Sequence, residues 1–190
     1  MNLLHRARRN KQLVSGSILA AVIVVLGVLG PFLLGDYTSQ DLLSGHLPPR
    51  TSGYLLGSDA LGRDIAARVV VGIRISMFVA ISVTAIAVII GTVIGLTAGY
   101  VRGAIDNFIT LIVDFIWGFP LILVAVLAAA SIGAGLLPVI LAVGLVNTVA
   151  IARVVRGEVL GLTEKEFIVA AKAGGYSTVR ILSKHLLPNI

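Results

Sequence analysis

The chain of 190 residues is 57% hydrophobic and only 13% charged, with a formal net charge of +6 at pH 7 and a mean hydropathy of +1.03. Soluble domains lie near about 45–50% apolar and about 25% charged, so a soluble globular domain is excluded: its core could not hide this much apolar surface. Cysteine is absent, which excludes a disulfide framework, a thiolate metal site and a cysteine nucleophile.

Residues 1–12 form a basic tail carrying Arg6, Arg8, Arg9 and Lys11. Charges are then missing from Gln12 to Gly35, from Ile75 to Val101 and from Phe115 to Ala152. A membrane helix needs roughly 20 residues, and the last gap is divided by Ser131-Ile132-Gly133-Ala134-Gly135 with Pro138 beyond it. The predicted architecture is an all-α polytopic bundle with four spans, at 13–34, 76–100, 108–130 and 136–155. A secretory signal would have an apolar region of about 7–15 residues and a small-residue cleavage site. Leu13–Leu34 is longer and reads as a retained transmembrane helix. Basic loops stay on the cytoplasmic side. That places the tail and the basic stretch Arg153–Lys184 inside the cell, with the N-terminus cytoplasmic and 35–75 outside. In the outer segment Arg50, Arg63, Arg68 and Arg74 are offset by Asp36, Asp41, Asp59 and Asp64, so the net positive charge reflects topology rather than nucleic-acid binding.

The outer segment holds a turn-rich stretch, Leu56-Gly57-Ser58-Asp59-Ala60-Leu61-Gly62-Arg63-Asp64, before Ile65–Ile75, where Ile65, Val69 and Ile73 recur at helical spacing. Asp59 and Asp64 are predicted N-caps, because a short carboxylate can accept the free amide hydrogens of a first turn. In the second span Ala87, Gly91, Gly95 and Gly99 recur every fourth residue and form a smooth packing stripe. The third span contains Asp114, beside Trp117 and upstream of Phe119-Pro120. Acids at membrane depth are costly, so Asp114 is expected to face the bundle interior, in a pathway or gating role or as a satisfied structural carboxylate. Asn147 and Thr148 in the fourth span carry the same two readings, with helix–helix hydrogen bonding favoured. His5, His46 and His185 lack metal-ligand spacing, and no phosphate-binding G-x-x-x-x-G-K-[ST] loop is present.

Beyond the fourth span, Thr163-Glu164-Lys165-Glu166 has the form of a capping box opening a helix. Gly174-Gly175 closes that helix, and Ser177 is placed to cap a second one with Val179, Leu182 and Leu186 as its apolar face, ending before Pro188. A helix–turn–helix of mixed polarity beside a membrane suits docking in the groove of a soluble partner.

Several ordered stretches carry a family resemblance: Gly57–Asp64, Gly72-Ile73-Arg74-Ile75-Ser76, Gly91–Tyr100, Phe119-Pro120, and Glu166–Gly175 with Leu186-Leu187-Pro188-Asn189. Together they resemble the second permease subunit of dipeptide, oligopeptide and nickel ABC importers. The resemblance implies that 76–190 is the core permease domain and that 157–190 is the EAA loop, which inserts into a cleft of a cytoplasmic ATPase subunit. It implies coupling roles for Glu166, Ala170, Ala171, Lys172, Ala173, Gly175, Tyr176 and Arg180. Val169 stands where the family usually has glutamate, with Glu166 nearby, so docking is expected to differ in detail. Gly57, Ser58, Asp59, Gly62, Arg63 and Asp64 form a motif to which no role is given. Family members continue through two further spans, so the chain is expected to be truncated at its C-terminus.

The implied function is half of a translocation pathway for peptides, with nickel, glutathione or opine uptake as alternatives within the family. The implied partners are a related permease, two ATPases that bind ATP and magnesium, an extracytoplasmic solute-binding protein and membrane lipid. This chain itself would bind no cofactor and catalyse no reaction. A secondary transporter or channel using Asp114 as an ion site remains open from the residues alone. A membrane-embedded enzyme would need a catalytic cluster, and none is visible.

Overall fold

The computed structural model describes residues 10–190. Arg6, Arg8 and Arg9 of the basic tail therefore lie outside the described residues. The chain divides into two units, Met1–Phe78 and Val79–Ile190, each described in its own right.

The first unit opens with helix α1, Lys11–Leu33, whose N-terminal amides at Gln12 and Leu13 donate to the side-chain oxygen of Asn10. Its mostly apolar surface is exposed, as a lipid-facing helix requires, and only Gly27 and Gly30 are buried. Gly27 lies against Ile73 and Met77, and Gly30 against Val70, on the first turns of helix α2, Ile65–Val101. Residue numbers rise along one helix as they fall along the other, so the pair is antiparallel.

Asp64 caps α2 by accepting from the amide of Ala66 at 2.8 Å, as its position suggests. Asp59 does not cap a helix. It accepts from the amides of Leu61 at 2.9 Å and Arg63 at 3.0 Å, from Arg63 Nε at 2.7 Å, and from Arg68. The apolar repeat at Ile65–Ile75 and the predicted second span are one uninterrupted helix of 37 residues. At ~1.5 Å per residue it is about 55 Å long, well beyond the ~30 Å hydrocarbon core, so it has to project from the bilayer.

In the second unit α2 is followed by α3, Gly103–Trp117, α4, Leu121–Ile132, α5, Leu136–Leu162, α6, Glu166–Ala173, and the single turn α7, Thr178–Ile181. A wide π turn, Leu182–Leu186, and a tight 3-10 turn, Leu187–Asn189, complete it. The glycine stripe packs α2 onto α5. A Cβ built on Gly91 would lie 2.8 Å from Ile151 Cβ, one on Gly95 2.7 Å from Val155 Cβ, and one on Gly99 2.9 Å from Val159 Cβ. Each step of four residues on α2 meets a step of four on α5 in the same direction, so the two helices are parallel.

The predicted third span is not one helix. Pro120 has no amide hydrogen to continue the ladder of α3, and after Gly118 the chain turns by 87° into α4. With 15 and 12 residues, neither helix alone reaches the roughly 20 needed to cross. The parallel packing of α2 and α5 settles how the bent pair is used. Two parallel spanning helices need the chain to recross between them, so α3 and α4 together form a broken span rather than a re-entrant loop. The described residues thus hold three helices long and apolar enough to cross a membrane, and four candidate spans when the bent pair is taken as one, all of them helical.

Candidate functional site

The residues after α5 fold back as a compact module. Its inward face is apolar: Ile168, Ile181 and Leu186 are fully buried, and Ala171 nearly so, against Leu96 of α2 and Val159 of α5. Tyr100, Val155, Leu162 and Leu182 surround this core. The module is therefore seated on the ends of the two helices that the glycine stripe joins.

Local chemistry at its entrance differs from the predicted capping box. α5 continues to Leu162, so Thr163 ends one helix instead of opening the next. Its hydroxyl donates to the Leu160 carbonyl at 2.8 Å and accepts from Arg102 Nη2 at 2.9 Å. Lys165 occupies the N-cap position of α6, and no side chain caps that helix. Ser177 does occupy the N-cap position of α7, but its hydroxyl makes no cap bond. The predicted apolar face of the second helix is also shifted. Val179 is 74% exposed, and Ile181 takes its place in the core, because α7 lasts one turn before the wider π turn resets the register.

Of the residues expected in the coupling loop, Glu166, Ala170, Lys172, Ala173, Gly175, Tyr176 and Arg180 lie on the outer surface of the module. Ala171 does not, being 7% exposed and part of the module's own core. Val169 is exposed. Gly175 has φ +74°, a left-handed turn that favours glycine, and a Cβ there would meet nothing within 4 Å. Lys172 Nζ sits 5.0 Å from the Tyr100 ring centre, and the Arg180 guanidinium 5.2 Å from that of Tyr176. The outer surface is thus a set of small residues flanked by cations resting on aromatic rings.

Above the module, α3 and α5 are joined by two ion pairs. Arg156 donates from Nε and Nη2 to the two carboxylate oxygens of Asp106, at 2.6 and 2.7 Å. Thr110 donates to the same carboxylate at 3.4 Å, and Asp106 is 7% exposed. Arg153 donates to Asp114 at 2.6 Å and lies over the Trp117 ring at 4.8 Å. Within this chain the Asp114 side chain is 57% exposed, and its charge is paired by Arg153. Asp114, Arg153 and Arg156 form the polar wall of a cavity of about 330 Å³, closed on its other side by Ile94, Ile109 and Val113.

Asn147 is not part of this arrangement: its amide donates along its own helix to the Val143 carbonyl at 2.8 Å, as Thr148 does to Gly144. Neither makes the interhelical bond the sequence suggested. The motif Gly57–Asp64 lies in the first unit and closes the loop between α1 and α2. Ser58 accepts from the Leu47 amide at 2.8 Å and donates to the Ser44 carbonyl, while a Cβ on Gly62, at φ +71°, would strike the Asp41 backbone.

Residues 91–190 hold the glycine-packed end of α2, both ion pairs and the module, and they match the family described as binding-protein-dependent transport system inner membrane component. The chain belongs to that family. It is 37% identical over 185 residues to the dipeptide transport system permease protein DppC of Bacillus subtilis (strain 168), covering 97% of this chain and 58% of the relative. It is 34% identical over 185 residues to the oligopeptide transport system permease protein OppC of the same organism, covering 97% of this chain and 60% of the relative. To the oligopeptide transport system permease protein OppC of Escherichia coli (strain K12) it is 36% identical over 188 residues, covering 97% and 62% respectively. The chain therefore spans about 60% of the length of these curated relatives.

Three features of this inner membrane component were not read from its sequence: the Asp106–Arg156 pair, the Asp114–Arg153 pair and the reach of Arg102 to Thr163. The available signal was the three-residue spacing of Arg153 and Arg156, which puts both on one helix face, together with two acids on one short helix.

Proposed function

We propose that the chain acts as a permease subunit of a binding-protein-dependent, ATP-driven importer, forming half of a translocation pathway for dipeptides or oligopeptides. The observation that carries this reading is the module after α5. Its apolar face is spent inside the chain, on the ends of α2 and α5, while Glu166, Ala170, Lys172, Gly175, Tyr176 and Arg180 are left exposed for a partner. Small residues at the centre of such a surface permit close approach, and the flanking charges set register. The partner is a cytoplasmic ATPase subunit, which binds ATP and magnesium. A second ATPase, a related permease and an extracytoplasmic solute-binding protein complete the importer. The peptide solute is supported by the relatives, which are named as dipeptide and oligopeptide transport permeases.

In this reading the chain lies in the cell membrane with its N-terminus and the module in the cytoplasm. It makes and breaks no bonds. Its contribution is two access states and the surface through which ATPase closure biases them. Gly175→Val, in membranes carrying the assembled importer, tests the docking assignment. Among the described residues nothing lies within 4 Å of a Cβ at this position, so the strain of a side chain at φ +74° falls on the turn itself. The expected result is normal membrane insertion with weakened ATPase association and little solute-stimulated ATP hydrolysis. ATPase binding and uptake at wild-type levels would remove the assignment.

A further inference from the structure

We propose that Arg102, Asp106 and Arg156, with Arg153 and Asp114, form an electrostatic strut that transmits movement of the module to the broken span; the proposal rests on the docking role given to the module above. The path is continuous. Arg102 sits at the joint between α2 and α3 and donates to Thr163 at 2.9 Å, with Glu164 at 3.5 Å, so it grips the entrance of the module. One turn further along α3, Asp106 accepts from Nε and Nη2 of Arg156, which fixes distance and orientation together as a single contact cannot. Two turns further, Asp114 receives Arg153, which also covers Trp117, the last residue of α3 before the 87° bend.

Three cations, Arg102, Arg153 and Arg156, thus face three carboxylates, Asp106, Asp114 and Glu164. The set is balanced, and it ties the module entrance to the bend through α3 and the facing turns of α5. The apolar contacts between α3 and α5, at Val113, Val149 and Ala152, could slide. A bidentate arginine–carboxylate pair resists sliding, because separating its members leaves the nearly buried Asp106 carboxylate unpaired. A second feature marks the joint as strained. Arg102 has φ +59° and ψ −172°, a backbone region that is essentially reserved for glycine. A side chain is retained there, and it is the one that reaches the module.

The test uses the assembled importer in membranes, with three readouts: ATPase subunit co-purified per permease, ATP hydrolysed, and solute taken up. Asp106→Asn keeps the shape and removes the charge. ATPase binding should stay within about twofold of wild type, while uptake per ATP hydrolysed falls by about tenfold. Arg156→Lys, which keeps charge but loses the bidentate geometry, should fall between. Exchanging the pair, Asp106→Arg with Arg156→Asp, should recover most of the lost uptake per ATP. Unchanged uptake per ATP in Asp106→Asn, or uptake and hydrolysis falling together in proportion to the permease left in the membrane, would overturn the strut. Gly175→Val, run alongside, separates the two claims. If it abolishes ATPase binding while Asp106→Asn is silent, only the strut is lost; if it changes nothing, docking fails and the strut fails with it.

Discussion

At the scale of residues, the ion pairs between α3 and α5 are the costliest features to alter. Asp106 is nearly enclosed and accepts from two guanidinium nitrogens, whereas Asp114 is more than half exposed. Breaking a buried pair by removing one partner costs about 3–5 kcal/mol. Because the Arg156 side chain is 35% exposed, the cost of Asp106→Ala is expected near the lower end, about 3 kcal/mol, and Asp114→Ala below about 1 kcal/mol. Thermal unfolding of the detergent-solubilised chain and its two variants checks that order. The outer loop offers a pH signature. Burial pushes the Asp59 carboxyl upward, but the Arg63 amide and side chain, the Leu61 amide and the Arg63 charge outweigh it and lower the pKa from 3.8 to about 2. A depressed folded-state value stabilises above the unfolded value and is lost as pH falls through the folded one. Amide-exchange protection at Leu61 and Arg63 should thus be constant from neutral pH to about 4 and decline toward about 2. Asp64→Asn should leave that profile in place. Neither ion pair was legible from the sequence, because the pairing depends on the register of α3 against α5, and a sequence states charges without their partners.

At the scale of elements, the α2–α5 contact rests on the absence of side chains. A Cβ on Gly95 would lie 2.6 Å from the Ala152 carbonyl oxygen, and backbone cannot move aside as a side-chain tip can. Gly95→Leu should cost at least the 1–3 kcal/mol typical of overpacking, estimated at about 3, and lower the amount of folded chain recovered from membranes. Gly157→Ala on α5 meets nothing within 4 Å, and it should be neutral or stabilise by about 0.5 kcal/mol. A comparison of the two by thermal denaturation tests whether the stripe or the glycine content matters. This contact was readable in advance, since a four-residue repeat of small residues specifies one helix face whatever lies opposite. Helix boundaries were less readable. Arg68 and Arg74 made the first turns of α2 look like a separate outer helix, although a helix that leaves the bilayer carries such charges without interruption. The capping box failed for a related reason: Thr163 satisfied the pattern, but α5 extended to Leu162 and used that residue for its own end.

At the scale of the whole molecule, the charge-free runs were enough to predict an all-α membrane protein, because backbone groups in hydrocarbon have no water to bond and an apolar run there satisfies them by forming a helix. They could not show that the third crossing is broken by 87°, or that its two halves recross between parallel helices. The topology expected from the basic segments has residues 35–75 outside and the module in the cytoplasm. Cysteines introduced at Leu43, which is 97% exposed, and at the exposed Ser177 should be labelled by an impermeant thiol reagent from opposite faces, with no native cysteine to interfere. The central claim, that the module's outer surface meets an ATPase subunit, is tested most directly by site-specific cross-linking in the assembled importer. A photoreactive thiol probe attached to cysteine at Ala170 or Tyr176, both exposed, should join the chain to the ATPase. The same probe at Leu43 should not. Cross-linking from Leu43 but not from Ala170 or Tyr176, in an importer that still takes up solute, would contradict the account.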